Sequence, residues 1–332
     1  MTNLKNAMAF SFSSLLRAVS PARNDSFIGG QAVAEGIMMH NGRCYALSVR
    51  KPCGEIKTVL CRLAPSSLAL RLGKIPILRG VHRLWASMIT GVKVMHDAAE
   101  MAGFEDDAPP TKFDLWLDKK LGDKLTKYII ALSLVIALAF GVFLFILVPV
   151  LLSGFLGLFL AGNLWVLGII EGLVRMGIFL AYLVIVSRMK EIRSIYQYHG
   201  AEHKTINCHE RGEPLTVDNI RRHSRLHRRC GTSFVLFILV ISMIFFLFVR
   251  TDALWMRILS RLALVPFVAG ASYEVILWAG RRDSEFMRLL SSPGMALQGF
   301  TTAEPGDEQI EVAKRSLEAV LSVEEISKIA DD

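Results

Sequence analysis

Five consecutive residues, His199 to His203, have types and a spacing that suit metal-dependent hydrolysis; they read His-Gly-Ala-Glu-His. Histidines four positions apart on an α-helix project from one face, one turn apart, so both imidazoles can reach a single ion. Glu202 lies beside that face, where a general base must be placed. A catalytic zinc site uses three protein ligands and leaves one position for water. The sequence therefore predicts Zn²⁺ or another divalent metal on His199 and His203, Glu202 as the catalytic base, and a third ligand from elsewhere.

Two residues are candidates for that third ligand. Glu274 lies in an apolar segment, where a charge costs about 2.5–3.5 kcal/mol on insertion scales and so needs a cation, an arginine or a proton as its partner. His227 follows His223 by four residues in a basic loop, and it can supply a ligand or belong to a turn that faces lipid headgroups. The predicted metal ligands are thus His199, His203, Glu274 and His227. The alternative is that two of the eight histidines fall four apart by chance at a hydrated helix end.

The composition places these residues in a membrane protein. Of the 332 residues 52% are hydrophobic, and the mean hydropathy of +0.42 is too high for an ordinary soluble domain. At about 20 residues per crossing, the apolar segments predict four transmembrane helices, at 128–150, 165–187, 232–249 and 258–279. The segment 151–163 is expected to be a bend or a short re-entrant piece.

The basic residues predict the orientation of the chain. The loop 188–231 is rich in Lys and Arg, whereas 151–163 contains neither. The positive-inside rule then puts this loop and both termini in the cytoplasm, and we expect a multi-pass protein of the bacterial inner membrane. All five cysteines fall on that side, where thiols stay reduced. The net charge of +8 collects beside the spans, so the expected partners are the lipid bilayer and its anionic headgroups, not nucleic acid.

The expected fold class is a mainly α membrane protein with about four transmembrane helices and a small N-terminal α+β module. Short alternating runs around a Pro/Gly turn predict the strands of that module, and a helix is expected at 75–101. In chain order the segments are a flexible tail (1–26), a cytoplasmic α+β module (27–110), an amphipathic approach with the first two spans (111–187), the basic loop (188–231), the last two spans (232–280) and a cytoplasmic tail with an amphipathic helix (281–332).

Two further polar features lie outside the histidine run. Glu171 and Arg175 are four residues apart in an apolar segment, which favours a structural ion pair over a catalytic role. Glu35 is flanked by glycines, which suits a conformationally special loop beside a site. Its surroundings match neither a P-loop nor a dinucleotide-binding fingerprint.

Four separated motifs, at 29–39, 198–205, 224–233 and 293–305, resemble the DUF1385 family of bacterial membrane proteins. The resemblance covers about residues 27–320. It implies a polytopic membrane protein that is described as a predicted metal-dependent enzyme without an established substrate. The third motif of the family usually reads His-Pro-Arg-Cys-Gly, whereas Arg228 replaces the proline here. The resemblance also connects residues that composition could not, so that His227, Cys230, Glu274 and the first and last motifs could gather with the histidine run at one cytoplasm-facing site.

The sequence therefore predicts a membrane-embedded metal-dependent hydrolase at the cytoplasmic membrane interface, with a peptide or lipid-like substrate. The alternative is a non-enzymatic scaffold or assembly factor, in which the same polar residues form a hydrogen-bonded core and the basic loop binds lipid or a protein. A transporter is the third option. Four spans without clear repeats disfavour it, although a homo-oligomer could supply more spans.

Overall fold

The computed structural model describes residues 28–62, 72, 75–103, 125–157, 163–227, 230–249, 251, 253–280 and 285–331. The expected N-terminal tail, most of the approach to the first span, and Arg228 lie outside the described residues. The elements, in chain order, are β1 (Gly29–Val33), β2 (Gly36–His40), β3 (Cys44–Arg50), β4 (Ile56–Arg62), α1 (Leu78–Ala102), α2 (Leu125–Val142), a π-helical turn (Phe143–Leu147), α3 (Val148–Gly157), α4 (Leu164–Val186), α5 (Lys190–Glu210), α6 (Val217–Arg222), α7 (Thr232–Phe248), α8 (Leu254–Gly280), α9 (Glu285–Thr301) and α10 (Asp307–Asp331).

The chain divides into two compact units. The first, which we call the site unit, comprises 1–103, 182–241 and 266–332, and the second, the apolar unit, comprises 104–181 and 242–265. The site unit contains the predicted N-terminal strand module as an antiparallel sheet in the order β1-β2-β3-β4. A two-residue turn joins β1 to β2, and Glu35 in that turn has a φ of 50°. Ser194 and Tyr198 donate hydrogen bonds to the Glu35 carboxylate and hold this strained residue in place.

The sheet separates two hydrophobic cores, because alternate residues of a strand point to opposite faces. On one face Met38, Leu47 and Val49 pack with Val94 and Ala98 of α1. On the other face the strands pack with α5, α6 and α10, through a larger set of buried residues that includes Ile37, Met39, Ala46, Tyr198, Ile206, Ile220, Ile310, Leu317 and Val320. The site unit is therefore a three-layer arrangement in which α5 lies directly on the sheet.

Three helical segments are long and apolar enough to cross a membrane: Ala131–Gly157, Trp165–Val186 and Leu254–Val275. The fourth expected span corresponds to α7, which is apolar but has only 17 residues, at the lower limit of about 17–25 residues for a crossing. The count of four spans stays a prediction. The expected bend from residue 151 is not present up to Gly157, since α3 continues to that residue.

Pro149 explains both the π-helical turn before it and the partner of Arg175. Proline has no N–H to donate to the carbonyl four residues earlier, which belongs to Phe145. The Nε of Arg175 donates to that carbonyl instead, at 2.8 Å. The expected pair of Arg175 with Glu171 is present at 2.7 Å, and Arg261 also binds Glu171, at 3.0 Å. These buried charges thus serve the packing of the apolar unit.

Candidate metal centre

Helix α5 presents His199 and His203 on one face, with ring centroids 4.4 Å apart. Each ring directs Nδ1 at a main-chain carbonyl: His199 at that of Thr301, at 2.9 Å, and His203 at that of Arg225, at 2.6 Å. A carbonyl oxygen only accepts, so these bonds place the proton of each neutral ring on Nδ1. The Nε2 lone pairs are then available to an ion, in the arrangement that metal-binding histidines commonly adopt.

Cys230 faces these two lone pairs. Its Sγ lies 3.3 Å from Nε2 of His199, and the donor atoms of His199, His203 and Cys230 all lie within 4.8 Å of one another. Tetrahedral zinc, with bonds of about 2.0–2.1 Å to nitrogen and 2.3 Å to sulfur, separates neighbouring donors by about 3.4–3.6 Å. The three side chains therefore fit one zinc-sized ion with little movement.

The electrostatic surroundings of Cys230 favour its thiolate. Burial by itself raises the pKa of the thiol, but the hydrogen bond and charge of His203 in its protonated form, together with hydrogen bonds from Thr232, outweigh burial and lower that pKa. A thiolate is the form of cysteine that binds metals. Cys208 provides a contrast, because its thiol donates to the carbonyls of Glu213 and Pro214 and burial raises its pKa. Cys208 also lies near His223 and Glu213, but it is held as a thiol.

Glu202 stands next to the three donors and is almost fully buried. Burial raises the pKa of its carboxyl group to about 8, against a smaller lowering by His199. Its Oε2 finds no hydrogen-bond partner among the described residues, although a buried carboxylate oxygen without a partner is costly. Glu202 therefore has one buried oxygen whose hydrogen-bonding capacity no described residue satisfies.

The segment that follows α9 contacts helix α5 at two points beside this site. The Ala303 carbonyl lies where a Cβ on Gly200 would be, and the Ala303 N–H donates to the carbonyl of Tyr196 at 2.8 Å. These contacts hold the Thr301 carbonyl against His199. On the neighbouring segment, the Gln298 side-chain oxygen accepts a hydrogen bond from the His227 N–H, and the Gln298 side-chain nitrogen donates one to the His227 carbonyl, at 2.9 Å each. The motif at 293–305 thus supports the site from outside.

The structure does not bring the other two predicted ligands into the centre. Glu274 accepts two hydrogen bonds from the Arg79 guanidinium and one from the Ile77 N–H at 3.2 Å, so its partner is an arginine. His227 is close, with its ring 5.7 Å from that of His203, but its Nε2 is 3.4 Å from Glu210. The geometry favours Cys230 as the third ligand in their place.

Sequence reasoning proposed His199, Glu202 and His203 for the site but gave Cys230 no ligand role. No second cysteine stands at metal-binding spacing from Cys230, so spacing within the sequence contained no signal for it. The one available signal was its position in the third motif, immediately before an apolar helix. Gln298, Thr301 and Gly200 also stand in the motifs, but their roles depend on contacts with residues from 71 to about 100 positions away along the chain.

Comparison with known proteins finds the same family that the four motifs resemble. The family model "Protein of unknown function (DUF1385)" matches residues 75–323. "Uncharacterized protein YqhQ" of Bacillus subtilis (strain 168) is 37% identical over 302 residues, which cover 90% of this chain and 94% of that protein. No solved structure matches the chain. With most of its length matched in both comparisons, the chain belongs to the DUF1385 family.

Proposed function

We propose that this protein is a metal-dependent hydrolase held at the cytoplasmic face of a bacterial inner membrane. The observation that carries the proposal is the convergence of three donors, Nε2 of His199, Nε2 of His203 and Sγ of Cys230, beside the buried carboxyl of Glu202. Two imidazoles and a thiolate are a donor set that zinc prefers, and three protein ligands leave a position for water.

A divalent ion such as Zn²⁺ in this site supplies Lewis acidity, which polarises a substrate carbonyl or phosphoryl group and lowers the pKa of water. Residues of the chain transfer the proton and orient the ligands. In its ionised form Glu202 accepts the proton of the attacking water and then delivers it to the leaving group, and a pKa of about 8 lets the carboxyl gain and lose this proton near neutral pH. The carbonyls of Thr301 and Arg225 keep both imidazoles oriented.

The position of the site along the chain indicates the class of substrate. Cys230 lies two residues before α7, and α5 begins shortly after the candidate span Trp165–Val186 ends. The basic loop around the site directs it to the cytoplasm by the positive-inside rule. Site residues that lie between two apolar helices in the sequence suit a membrane-borne substrate, either a membrane peptide or a lipid-like molecule with a hydrolysable bond.

Metal content tests the first step. We expect the full chain, purified without chelator under metal-replete conditions, to contain about one equivalent of metal by mass spectrometry. His203→Ala and Cys230→Ala should lose it. Glu274→Gln should keep it, because Glu274 binds Arg79 and not the donor cluster. A wild-type protein without bound metal under these conditions overturns the proposal.

Catalysis is tested separately with Glu202→Gln, which keeps the shape of the side chain and removes its basicity. We expect this variant to retain metal and lose turnover. Untargeted lipid and peptide profiling of a deletion strain, complemented with wild type or with Glu202→Gln, gives the readout. Accumulation of the same species in the deletion and in the Glu202→Gln strain supports hydrolysis, whereas full complementation by Glu202→Gln supports the scaffold alternative.

A further inference from the structure

Helix α1 has an exposed apolar face, which we call the bare face, in addition to the face that packs on the sheet. The large side chains on the bare face, with their exposed fractions, are Trp85 (61%), Met95 (50%), Leu78 (47%), Met88 (41%) and Ile89 (39%). Leu78 and Trp85 are seven residues apart, as are Met88 and Met95, so these side chains follow one side of the helix. The residues buried against the rest of the unit, from Ala86 to Ala102, lie on the opposite side.

The start of α1 is fixed to a helix that is long and apolar enough to span a membrane. A Cβ on Gly80 would lie 2.7 Å from Cβ of Tyr273 and 3.0 Å from Gly270, so the two helices touch through their backbones. Arg79 pairs with Glu274, and Arg83 donates a hydrogen bond to the Tyr273 hydroxyl. All of these contacts lie within the site unit.

The backbone just before α1 is strained to make this contact. Ile77 has a φ of 67°, a conformation that a β-branched residue rarely adopts. Its N–H is held by Glu274 at 3.2 Å, and its carbonyl lies 2.6 Å from the Cβ that Gly270 lacks. The bare face of α1 therefore begins at the side of the candidate span Leu254–Val275, near its end at residue 275.

We infer that the apolar face of α1 lies in the cytoplasmic surface of the bilayer, with the sheet on its other side. A helical face that exposes Trp and other large apolar side chains beside a membrane span suits the membrane interface. Lys93 is exposed and adds positive charge on α1 for anionic headgroups, whereas Arg79 and Arg83 are engaged by Glu274 and Tyr273. This binding uses the membrane location proposed above but not the hydrolase chemistry, so it is independent of bound metal.

Quenching of Trp85 fluorescence by brominated lipid tests the inference. The full chain with Trp116, Trp165, Trp255 and Trp278 changed to Phe is reconstituted into phosphatidylcholine vesicles that contain phosphatidylglycerol. Bromine near the headgroups should reduce the Trp85 emission by roughly half, and more than bromine near the bilayer centre, because an interfacial helix is buried by about 5–10 Å. The control is Glu308→Trp in a chain that lacks all five native tryptophans. Glu308 is exposed at the start of α10, so its replacement should be quenched by aqueous iodide and not by lipid.

Three other results would overturn the inference. Quenching of Trp85 by iodide and not by brominated lipid means that the face is open to water. Protection from both quenchers, with a dimer in light scattering, assigns the face to a second copy of the chain, and protection without a dimer assigns it to another segment of the same chain. If the four-fold replacement prevents folding, the difference between the wild type and Trp85→Phe gives the same readout. Loss of metal by His203→Ala should leave the quenching unchanged, which separates this inference from the proposed hydrolysis.

Discussion

Gly30 and Glu202 adjoin so closely that no side chain fits between them. A Cβ on Gly30 would lie 2.8 Å from both Cδ and Oε1 of Glu202, and 2.8 Å from the Met38 carbonyl. The first strand of the sheet thus forms one wall around the carboxyl group that we assign as the base. The glycine-rich first motif contributes to the site through this missing side chain.

Gly30→Ala should therefore push the Glu202 carboxyl away from the donor cluster. The Met38 main chain cannot yield, so we expect a loss of about 1–3 kcal/mol in the free energy of unfolding, as for other overpacked cores. Metal content should persist while turnover falls. Gly299→Ala is the matched control, because a Cβ there meets nothing within 4 Å. An unfolding midpoint equal to that of wild type would contradict the crowding at Gly30.

Cobalt substitution should reveal the thiolate ligand. After chelation and reconstitution with Co²⁺, we expect a near-ultraviolet sulfur-to-cobalt charge-transfer band in the wild type, because the lowered pKa of the Cys230 thiol eases its deprotonation by the ion. Cys230→Ser should lose the band. Cys208→Ala should retain it, since the Cys208 thiol is engaged by two carbonyls. A band that survives Cys230→Ser but disappears in Cys208→Ala would move the ligand role to Cys208.

Gln298→Leu should weaken metal binding although Gln298 touches no ligand atom. Gln298 fixes the main chain of His227, two residues from the Arg225 carbonyl that orients His203. Loss of such outer contacts typically lowers metal affinity about 10–100-fold, measurable by competition with a chromophoric chelator. Gln309→Ala is the control, because its side-chain oxygen accepts a hydrogen bond from the nearby Gly306 N–H, away from the histidine segment. Unchanged affinity in Gln298→Leu would show that the 224–227 segment holds its shape without this clamp.

Stability should fall in mild acid because of His40. Burial lowers the pKa of this imidazole to about 4, whereas the unfolded chain takes up the proton near pH 6.5. The stabilising effect is complete above about pH 6.5 and is lost as the pH falls towards 4, at up to about 1.4 kcal/mol per pH unit. Urea unfolding in detergent, followed by circular dichroism, measures this slope. His40→Gln should flatten it relative to wild type, and the exposed His96→Gln should not. Equal slopes in His40→Gln and wild type would contradict the assignment.

The parts of the fold and site that the sequence predicted are those that depend on local spacing. His199 and His203 lie on one helical face because they are one turn apart, and Glu171 and Arg175 pair for the same reason. The strand module was predicted from short runs of alternating residues around a turn that contains Pro and Gly. Each of these inferences used residues within a few positions of one another, where helix and strand geometry fixes the relative placement.

The parts that were not predicted depend on tertiary neighbours. A carboxylate in an apolar segment needs a partner, but nothing near Glu274 in the sequence identifies Arg79, 195 residues before it. Arg261 joins Glu171 from 90 residues away, and Arg175 donates to the Phe145 carbonyl, 30 residues before it, to which Pro149 has no N–H to donate. The third ligand was assigned to Glu274 or His227 for the same reason, since sequence distance cannot show which side chain converges on two histidines.

The hydroxyl of Ser316 accepts a hydrogen bond from the Met39 N–H and donates one to the Ala46 carbonyl, and the first of these links residues 277 positions apart. At about 5–20 residues per second, the ribosome needs on the order of tens of seconds to make the intervening chain. During that time the sheet has been synthesised, but α10 and the Thr301 carbonyl have not, so one face of the sheet is uncovered and His199 lacks its orienting partner. The donor cluster therefore reaches its final geometry only after the apolar helices have been made, and the proposed metal would be loaded late in the biogenesis of the protein.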